Sequence, residues 1–317
     1  MIKSLAMRRR KPQISFVVCV YNMVDQAMNT LFSLSTDYQR GVDAGDYEVI
    51  VVENESANTL EPRDLATLKG NFRYFLRKET QPTPVFAMNE GASHAKSDNI
   101  CVMIDGARMV TPGIVDNLLK AHRLSADTIV SVPGYHLGDK LQQEAVGSGY
   151  TSETEKALLE KIAWPGDGYA LFDIACFSAS CSAGFFLPHS ESNCLSIPLH
   201  LWQRLQGFDT RFNSLGGGLA NLDLYKRACE LPEADLVSLP GEGTFHQFHS
   251  GVTTGGIEQE RRRKLLQEYF AQYREIRGKD FKPPNKQAAL FGVIPPNCQR
   301  FIRYSSRKVI HRNRANP

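Results

Sequence analysis

Asn99-Ile100-Cys101-Val102-Met103-Ile104-Asp105-Gly106-Ala107-Arg108 is the stretch whose reading decides the fold. An unbroken apolar run between polar residues reads as a strand buried on both faces of a parallel sheet. The run stops at an aspartate followed by a glycine. In open α/β sheets, ligands bind in the crevice beyond the carboxyl ends of the strands, so Asp105 stands where chemistry is done. The same aspartate can instead cap the turn through its side chain, and the stretch by itself leaves both roles open.

Upstream, Ile14–Val20 is a second apolar run, ending at Tyr21-Asn22. Residues 26–34 follow with Met28, Leu31 and Phe32 at helical spacing. Tyr47–Val52 is another buried strand and closes on Glu53-Asn54-Glu55-Ser56, and Phe72–Leu76 is a third strand of the same kind. A helix over 85–96 leads into the Asp105 strand and another over 113–122 leaves it. Strand–helix–strand order implies right-handed crossovers and a parallel sheet, so Tyr21-Asn22, Glu53 and Asp105 share one rim. No Gly-x-Gly-x-x-Gly or P-loop pattern occurs, which excludes the two common phosphate-cradling loops. A carboxylate at a strand tip can accept hydrogen bonds from a ribose or base, or ligate a hard cation.

The 317 residues suffice for a sizeable core, and 42% hydrophobic with 22% charged residues is ordinary for a globular chain. A net charge of +3 does not imply nucleic acid. Both ends are basic: Lys3, Arg8, Arg9, Arg10 and Lys11 at one, Arg300, Arg303, Arg307, Lys308, Arg312 and Arg314 at the other. Such runs read as solvated tails or as contacts with the anionic inner face of a membrane. Seven cysteines without paired motifs point to reduced thiols and a cytoplasmic setting. Cys19 and Cys101 fit buried strand positions. No apolar stretch of signal-peptide length follows the basic start before the first strand, and no run approaches membrane-spanning length.

Four segments in order, FVVCVYN (16–22), EVIVVENES (48–56), NEGASHAKSDNICVMIDGA (89–107) and LQGFDTRF…GGGLANLDLYKRA (205–228), resemble a family-2-type glycosyltransferase of the GT-A fold. The resemblance covers roughly residues 13 to 250. It implies an α/β domain with a mostly parallel, Rossmann-like sheet flanked by helices. The partition that follows is a basic tail (1–12), the GT-A domain (13–255), and a C-terminal helix with a basic tail (256–317). The backbone near Val20, Tyr21 and Asn22 and the carboxylate of Glu53 would hold the nucleoside. Asn89 and Gly91 match the family's Asn-x-Gly helix start, whose amides lie near the nucleotide; a helix N-terminus favours anions on physical grounds too. Asp105 falls on the first position of the Asp-x-Asp motif that carries Mg²⁺ or Mn²⁺. Ala107 stands where the second carboxylate belongs. Arg108 can offset phosphate charge, but its exposed, surface reading is preferred.

Under the same resemblance the loop-rich, aromatic segment 131–198 is an acceptor-side wall and lid. Within it, Glu191-Ser192-Asn193-Cys194 is a polar cluster between apolar runs that can face the sugar. Asp209 would fix its loop. Inverting relatives carry Glu-Asp-x-Asp where this chain has Ala220 and Asn221, and an amide cannot act as a base at neutral pH. Either Asp223 takes over as base, or Asn221-Leu222-Asp223 resembles the Asn-Leu-Glu stretch of retaining enzymes, in which the leaving phosphate takes the proton. Asp223 can also simply face the helix dipole. His246 and His249 follow a short strand, and relatives supply a late histidine as last metal ligand. Strand alternation puts the two on opposite faces, so one of them is expected to ligate. Thr244 is a candidate phosphate contact. Leu265, Leu266, Tyr269, Phe270, Tyr273 and Ile276 form the stripe of a charged helix, and the basic tail after Pro283-Pro284 reads as weakly ordered.

The expectation is a metal-assisted transfer of sugar from a nucleoside-diphosphate sugar to the hydroxyl of a glycan, lipid-linked or small-molecule acceptor, as in polysaccharide or glycan biosynthesis. The rival is a degenerate nucleotide-sugar-binding protein without turnover, supported by Ala107 and Asn221. A nucleotidyltransferase is disfavoured, because no glycine- and lysine-rich loop follows the first strand.

Overall fold

The computed structural model describes residues 10–79, 81–249 and 259–315. Lys3, Arg8, Arg9 and residues 250–258 lie outside that set. The first half alternates as expected: β1 (Ile14–Val20), α1 (Val24–Ser33), β2 (Tyr47–Asn54), α2 (Pro62–Leu65), β3 (Phe72–Arg77), α3 (Val85–Ser93), β4 (Asn99–Met103), β5 (Arg108–Val110), α4 (Ile114–Ala121) and β6 (Thr128–Ser131). Then come β7 (Gly134–Leu137), α5 (Gln142–Ala145), α6 (Ser152–Lys161), β8 (Ala175–Phe177), β9 (Leu195–Pro198), α7 (Leu199–Leu205) and α8 (Ala220–Cys229). The chain closes with β10 (Asp235–Ser238), β11 (Thr244–His246), α9 (Gln259–Arg277), β12 (Ala289–Leu290) and α10 (Gln299–Ala315).

The main sheet runs β12-β10-β6-β9-β4-β1-β2-β3, and a second sheet runs β5-β11-β7-β8. β1 pairs in parallel with both β2 and β4, and β2 with β3. The C-terminal tips of β1, β2 and β4 therefore share one rim. Only β9 is antiparallel to its neighbours β4 and β6. Both faces of the centre are buried because the runs are apolar at successive positions. Val17, Cys19, Ile50, Val52, Ile100 and Val102 pack in one core, while Phe16, Val18, Val49, Val51, Cys101 and Met103 pack in the other. The seven cysteines are free thiols.

Four aromatics of segment 131–198 are core. Tyr135, Phe172, Phe177 and Phe185 form a third cluster with Phe245 and Phe301 behind the second sheet. The basic tail, expected to be weakly ordered, is built in. β12 extends the main sheet beside β10, and α10 plants Phe301 in the third core. Burying such a phenylalanine contributes about 1.5–3 kcal/mol, which outweighs the repulsion of a charged helix whose cations stay in solvent. The stripe of α9 packs on this same molecule, with Tyr269 and Tyr273 in the first core.

Candidate active site at the strand tips

Asp105 reaches the rim because Gly106 follows it. A Cβ on Gly106 would sit 2.6 Å from the Cys19 carbonyl oxygen and 3.0 Å from Val20 Cγ2, so only glycine lets the chain turn this close beneath the end of β1. Both sequence readings of Asp105 hold together. Its Oδ1 accepts from the Ala107 amide at 3.0 Å, a turn-capping bond. Its Oδ2 lies 3.0 Å from His246 Nε2 and 3.3 Å from Arg108 Nε.

Arg108 is not a surface residue. It is 8% exposed, because β5 tucks it between Asp105 and β11, and among the described residues its Nε and Nη1 donate no hydrogen bond. The two histidines, expected on opposite faces, meet at one point. β11 ends at His246, and the chain beyond it is pinned away from strand geometry. Gln247 N donates to Ala107 O at 2.9 Å, and Gln247 Nε2 to Gln26 O at 2.9 Å. Phe248 N donates to Glu155 Oε2 at 2.7 Å, while Phe248 O accepts from Gln26 Nε2 at 2.8 Å. The turn returns the His249 ring, so that its Nε2 lies 3.1 Å from His246 Nε2. Strand periodicity fails here because the strand has already ended.

The donor atoms of Asp105, His246 and His249 all lie within 4.8 Å of one another. His246 Nδ1 donates to Gln142 Oε1, which leaves its Nε2 lone pair directed at Asp105 and His249. The Gln142 backbone amide in turn donates to His136 Nδ1 at 2.9 Å. Burial pulls His246 down to about 4 against the opposing attraction of Asp105. Burial also opposes ionisation of Asp105, but His246, His249 and Arg108 together hold it well below the usual carboxylate range. At neutral pH this is an anionic carboxylate beside an unprotonated ring nitrogen, which is the state in which both ligate metals. The residues therefore fit a divalent cation. Two imidazoles with one carboxylate suit Mn²⁺ better than Mg²⁺, which prefers oxygen.

The other predicted site residues fall into two groups. Tyr21 is exposed, Asn22 takes a left-handed turn at φ 51°, and Val20 ends β1 beneath them. Glu53, at the tip of β2, is buried. Its Oε2 accepts from Tyr74 Oη at 2.6 Å and from the Leu60 amide at 2.9 Å, while its Oε1 has no hydrogen-bond partner among the described residues. Burial raises its pKa against those two bonds.

Asn89 and Gly91 are not at a helix start. α3 begins at Val85, and Asn89 grips Phe208 at both its N (2.9 Å) and O (2.8 Å). Gly91 faces the sheet, where a Cβ would sit 2.4 Å from Val17 Cγ1. Both residues are engaged in contacts that hold α3 to the sheet and to the Phe208 turn. Thr244 is likewise fully buried inside the second sheet, in no position to meet a phosphate.

Asp223, 1% exposed, accepts from Arg277 Nε at 2.6 Å on Oδ1, and from Arg227 Nε and Arg277 Nη2, each at 2.7 Å, on Oδ2. Arg277 also pairs with Asp209 at 2.9 Å. This ion cluster ties α8, α9 and the 205–209 turn together and leaves Asp223 no free oxygen for a substrate. Asn221 Nδ2 donates instead to Glu191 Oε1 at 2.7 Å, Ser192 O at 3.1 Å and Asn193 Oδ1 at 3.3 Å. Sequence reasoning missed Gln142, Gln247 and Glu155, the residues that aim the histidines. No local pattern marks them, since the bonds involved join residues far apart in the chain: Gln142 to His246, Gln247 to Gln26 and Phe248 to Glu155.

Comparison with known proteins bears on the family and the fold. Residues 15–179, over half of the chain, match the family described as Glycosyl transferase family 2. No curated protein matches the sequence. Among solved structures, the fold is similar to S. aureus TarS 1–349, with TM-score 0.51 and 11% identity over 84% of this chain and 72% of that one. The same TarS fragment in complex with UDP-GlcNAc gives TM-score 0.52 and 10% identity over 83% of this chain and 66% of that one.

Proposed function

The chain belongs to glycosyl transferase family 2, and from that premise we propose that it moves a sugar from a nucleoside-diphosphate donor to an acceptor hydroxyl with a divalent cation bound. The observation that carries this reading is the convergence of Asp105, just past the tip of β4 in the main sheet, with His246 and His249, at and beyond the end of β11 in the second. Those three side chains would hold Mn²⁺ or Mg²⁺, whose charge would offset that developing on the departing diphosphate. Arg108, ion-paired to Asp105 through Nε and with an Nη1 that makes no hydrogen bond among the described residues, supports the same diphosphate from the protein side. Tyr21, Asn22 and the backbone of Val20 offer the nucleoside an edge. The unpartnered Oε1 of Glu53 supports an acceptor role toward ribose or base.

α10 carries five arginines, one lysine and no acidic residue, which supports a peripheral contact with anionic lipid near a lipid-linked acceptor. Among the described residues no helix is long and apolar enough to cross a membrane.

Two routes for the acceptor proton fit a chain with an amide at 221: retention, with the leaving phosphate taking the proton, and inversion by a base from another segment. The rival reading, donor binding without turnover, is favoured by Asn221 and by the occupied carboxylate of Asp223. One pair of assays separates them. Thermal shift with UDP or GDP and Mn²⁺ reports the donor site, and release of nucleoside diphosphate from UDP-sugars or GDP-sugars reports turnover. Release that requires Mn²⁺ and is lost in His246→Ala is the expected result. Binding without release establishes the rival, and no shift with any nucleotide overturns both.

A further inference from the structure

We infer that Glu191 is the general base that takes the proton of the acceptor hydroxyl, held in place by Asn221, so that transfer inverts the anomeric centre. The inference rests on the transferase reading above and adds to it the residue that the sequence lacks at 221.

The neighbourhood of Asn221 carries the argument. β9 pairs antiparallel with β4, Val102 opposite Leu195 and Cys101 opposite Ser196. The segment entering β9 therefore passes the tip of β4, from which Asp105 projects. On its other side it is tied to the tip of β6, where Val132 N donates to Ser192 Oγ at 3.2 Å and Ser192 Oγ donates to Val132 O at 3.1 Å. Glu191 thus stands on the rim formed by the tips of β4 and β6, the rim from which Asp105 projects. α8 begins at Ala220 and directs its amino end at this segment, a placement that favours a carboxylate by its dipole.

Asn221 serves as an anchor rather than a base. Its single amide nitrogen fixes Glu191 Oε1 at 2.7 Å together with Ser192 O and Asn193 Oδ1. One carboxylate oxygen of Glu191 is thereby oriented. Among the described residues, no ion pair to Lys, Arg or His engages Glu191, in contrast to Asp223 with its two arginines. Glu191 is half-buried and reachable, whereas Asp223 is enclosed. The helix start thus contributes an amide that orients a carboxyl group on the adjoining segment.

In the step, the acceptor oxygen forms a bond to the anomeric carbon as the bond from that carbon to the diphosphate oxygen breaks. The electron pair leaves with the diphosphate, and the acceptor's proton passes to Glu191 Oε2. A positioned base of this kind contributes about 10²–10⁴-fold.

The test uses the full chain with Mn²⁺, a set of UDP- and GDP-sugars, and water as the acceptor. Glu191→Gln is expected to cut nucleoside-diphosphate release by about 10²–10⁴-fold, with the thermal shift given by UDP or GDP unchanged, which also reports that the variant is folded. Asn221→Ala is expected to lower kcat by a smaller factor with donor KM unchanged, as a lost anchor does. The wild-type sugar, read by NMR before it mutarotates, is expected with inverted configuration. Release by Glu191→Gln within threefold of wild type, retained configuration, or nucleotide binding without release by the wild type overturns the base assignment and leaves the donor site standing. A wild type that binds no nucleotide overturns the transferase reading itself.

Discussion

Asp223→Asn separates structure from chemistry at the position where the sequence suggested a base. The buried carboxylate takes three charged hydrogen bonds of 2.6–2.7 Å from Arg227 and Arg277. Breaking a buried ion pair by removing one partner costs about 3–5 kcal/mol. Here neither arginine is fully stranded, since Arg277 keeps Asp209 at 2.9 Å, and Arg227 keeps the carbonyls of Leu205 (2.7 Å) and Gly207 (2.8 Å). The loss therefore falls near the lower end, about 3 kcal/mol. With unfolding entropy of about 2 cal/mol/K per residue over 317 residues, that lowers Tm by about 5 °C. Differential scanning calorimetry measures the shift, and donor turnover well below Tm measures the chemistry. The expected pattern is a lowered Tm with kcat within a few-fold of wild type. An unchanged Tm with kcat down a hundredfold would refute the reasoning and restore Asp223 as the base.

Saturating Mn²⁺ at a hundred times its Kd stabilises the fold by about 2.7 kcal/mol, seen as a Tm rise larger than Mg²⁺ gives and abolished in His246→Ala or His249→Ala. Gly91→Ala drives a Cβ to 2.4 Å from Val17 Cγ1 and 3.0 Å from Val52 Cγ2, so urea unfolding is expected to show a loss of about 1–3 kcal/mol. Glu242 is pushed up to about 7 by burial, against its bonds from Thr111, Tyr169 and Asn117. The folded chain then holds a proton that the unfolded chain releases near the ordinary glutamate value. Stability from this group is full below about pH 4.5 and falls by about 3 kcal/mol as pH rises to about 7. Glu242→Gln removes that part of the slope in denaturation curves taken across the window, and an unaltered slope contradicts it.

The main sheet was legible because its strands are apolar at successive positions. Ile14–Val20, Tyr47–Val52 and Phe72–Leu76 were read within two residues of the observed ends, and the shared rim followed from parallel order. Asp105 was legible for the same reason, as the first polar residue after a buried run. Misreadings cluster where a contact from far along the chain overrides local pattern. Arg108 is buried by β11, from the other end of the domain. Asn89 spends its amide on Phe208, 119 residues away. The tail after Pro284 orders because Phe301 finds a core built from residues 109–185 and 245.

Periodicity and composition by themselves determined the α/β class, the parallel core and the rim on which a carboxylate would stand. These depend on which residues leave water, a property each residue brings with it. The meeting of His246 and His249 at Asp105, the enclosure of Asp223 by two arginines, and the union of Asn221 with Glu191 were decided only in three dimensions. Each depends on hydrogen bonds or ion pairs whose direction is set by elements distant in the chain. Directional contacts of that kind leave no trace in the spacing of neighbouring residues.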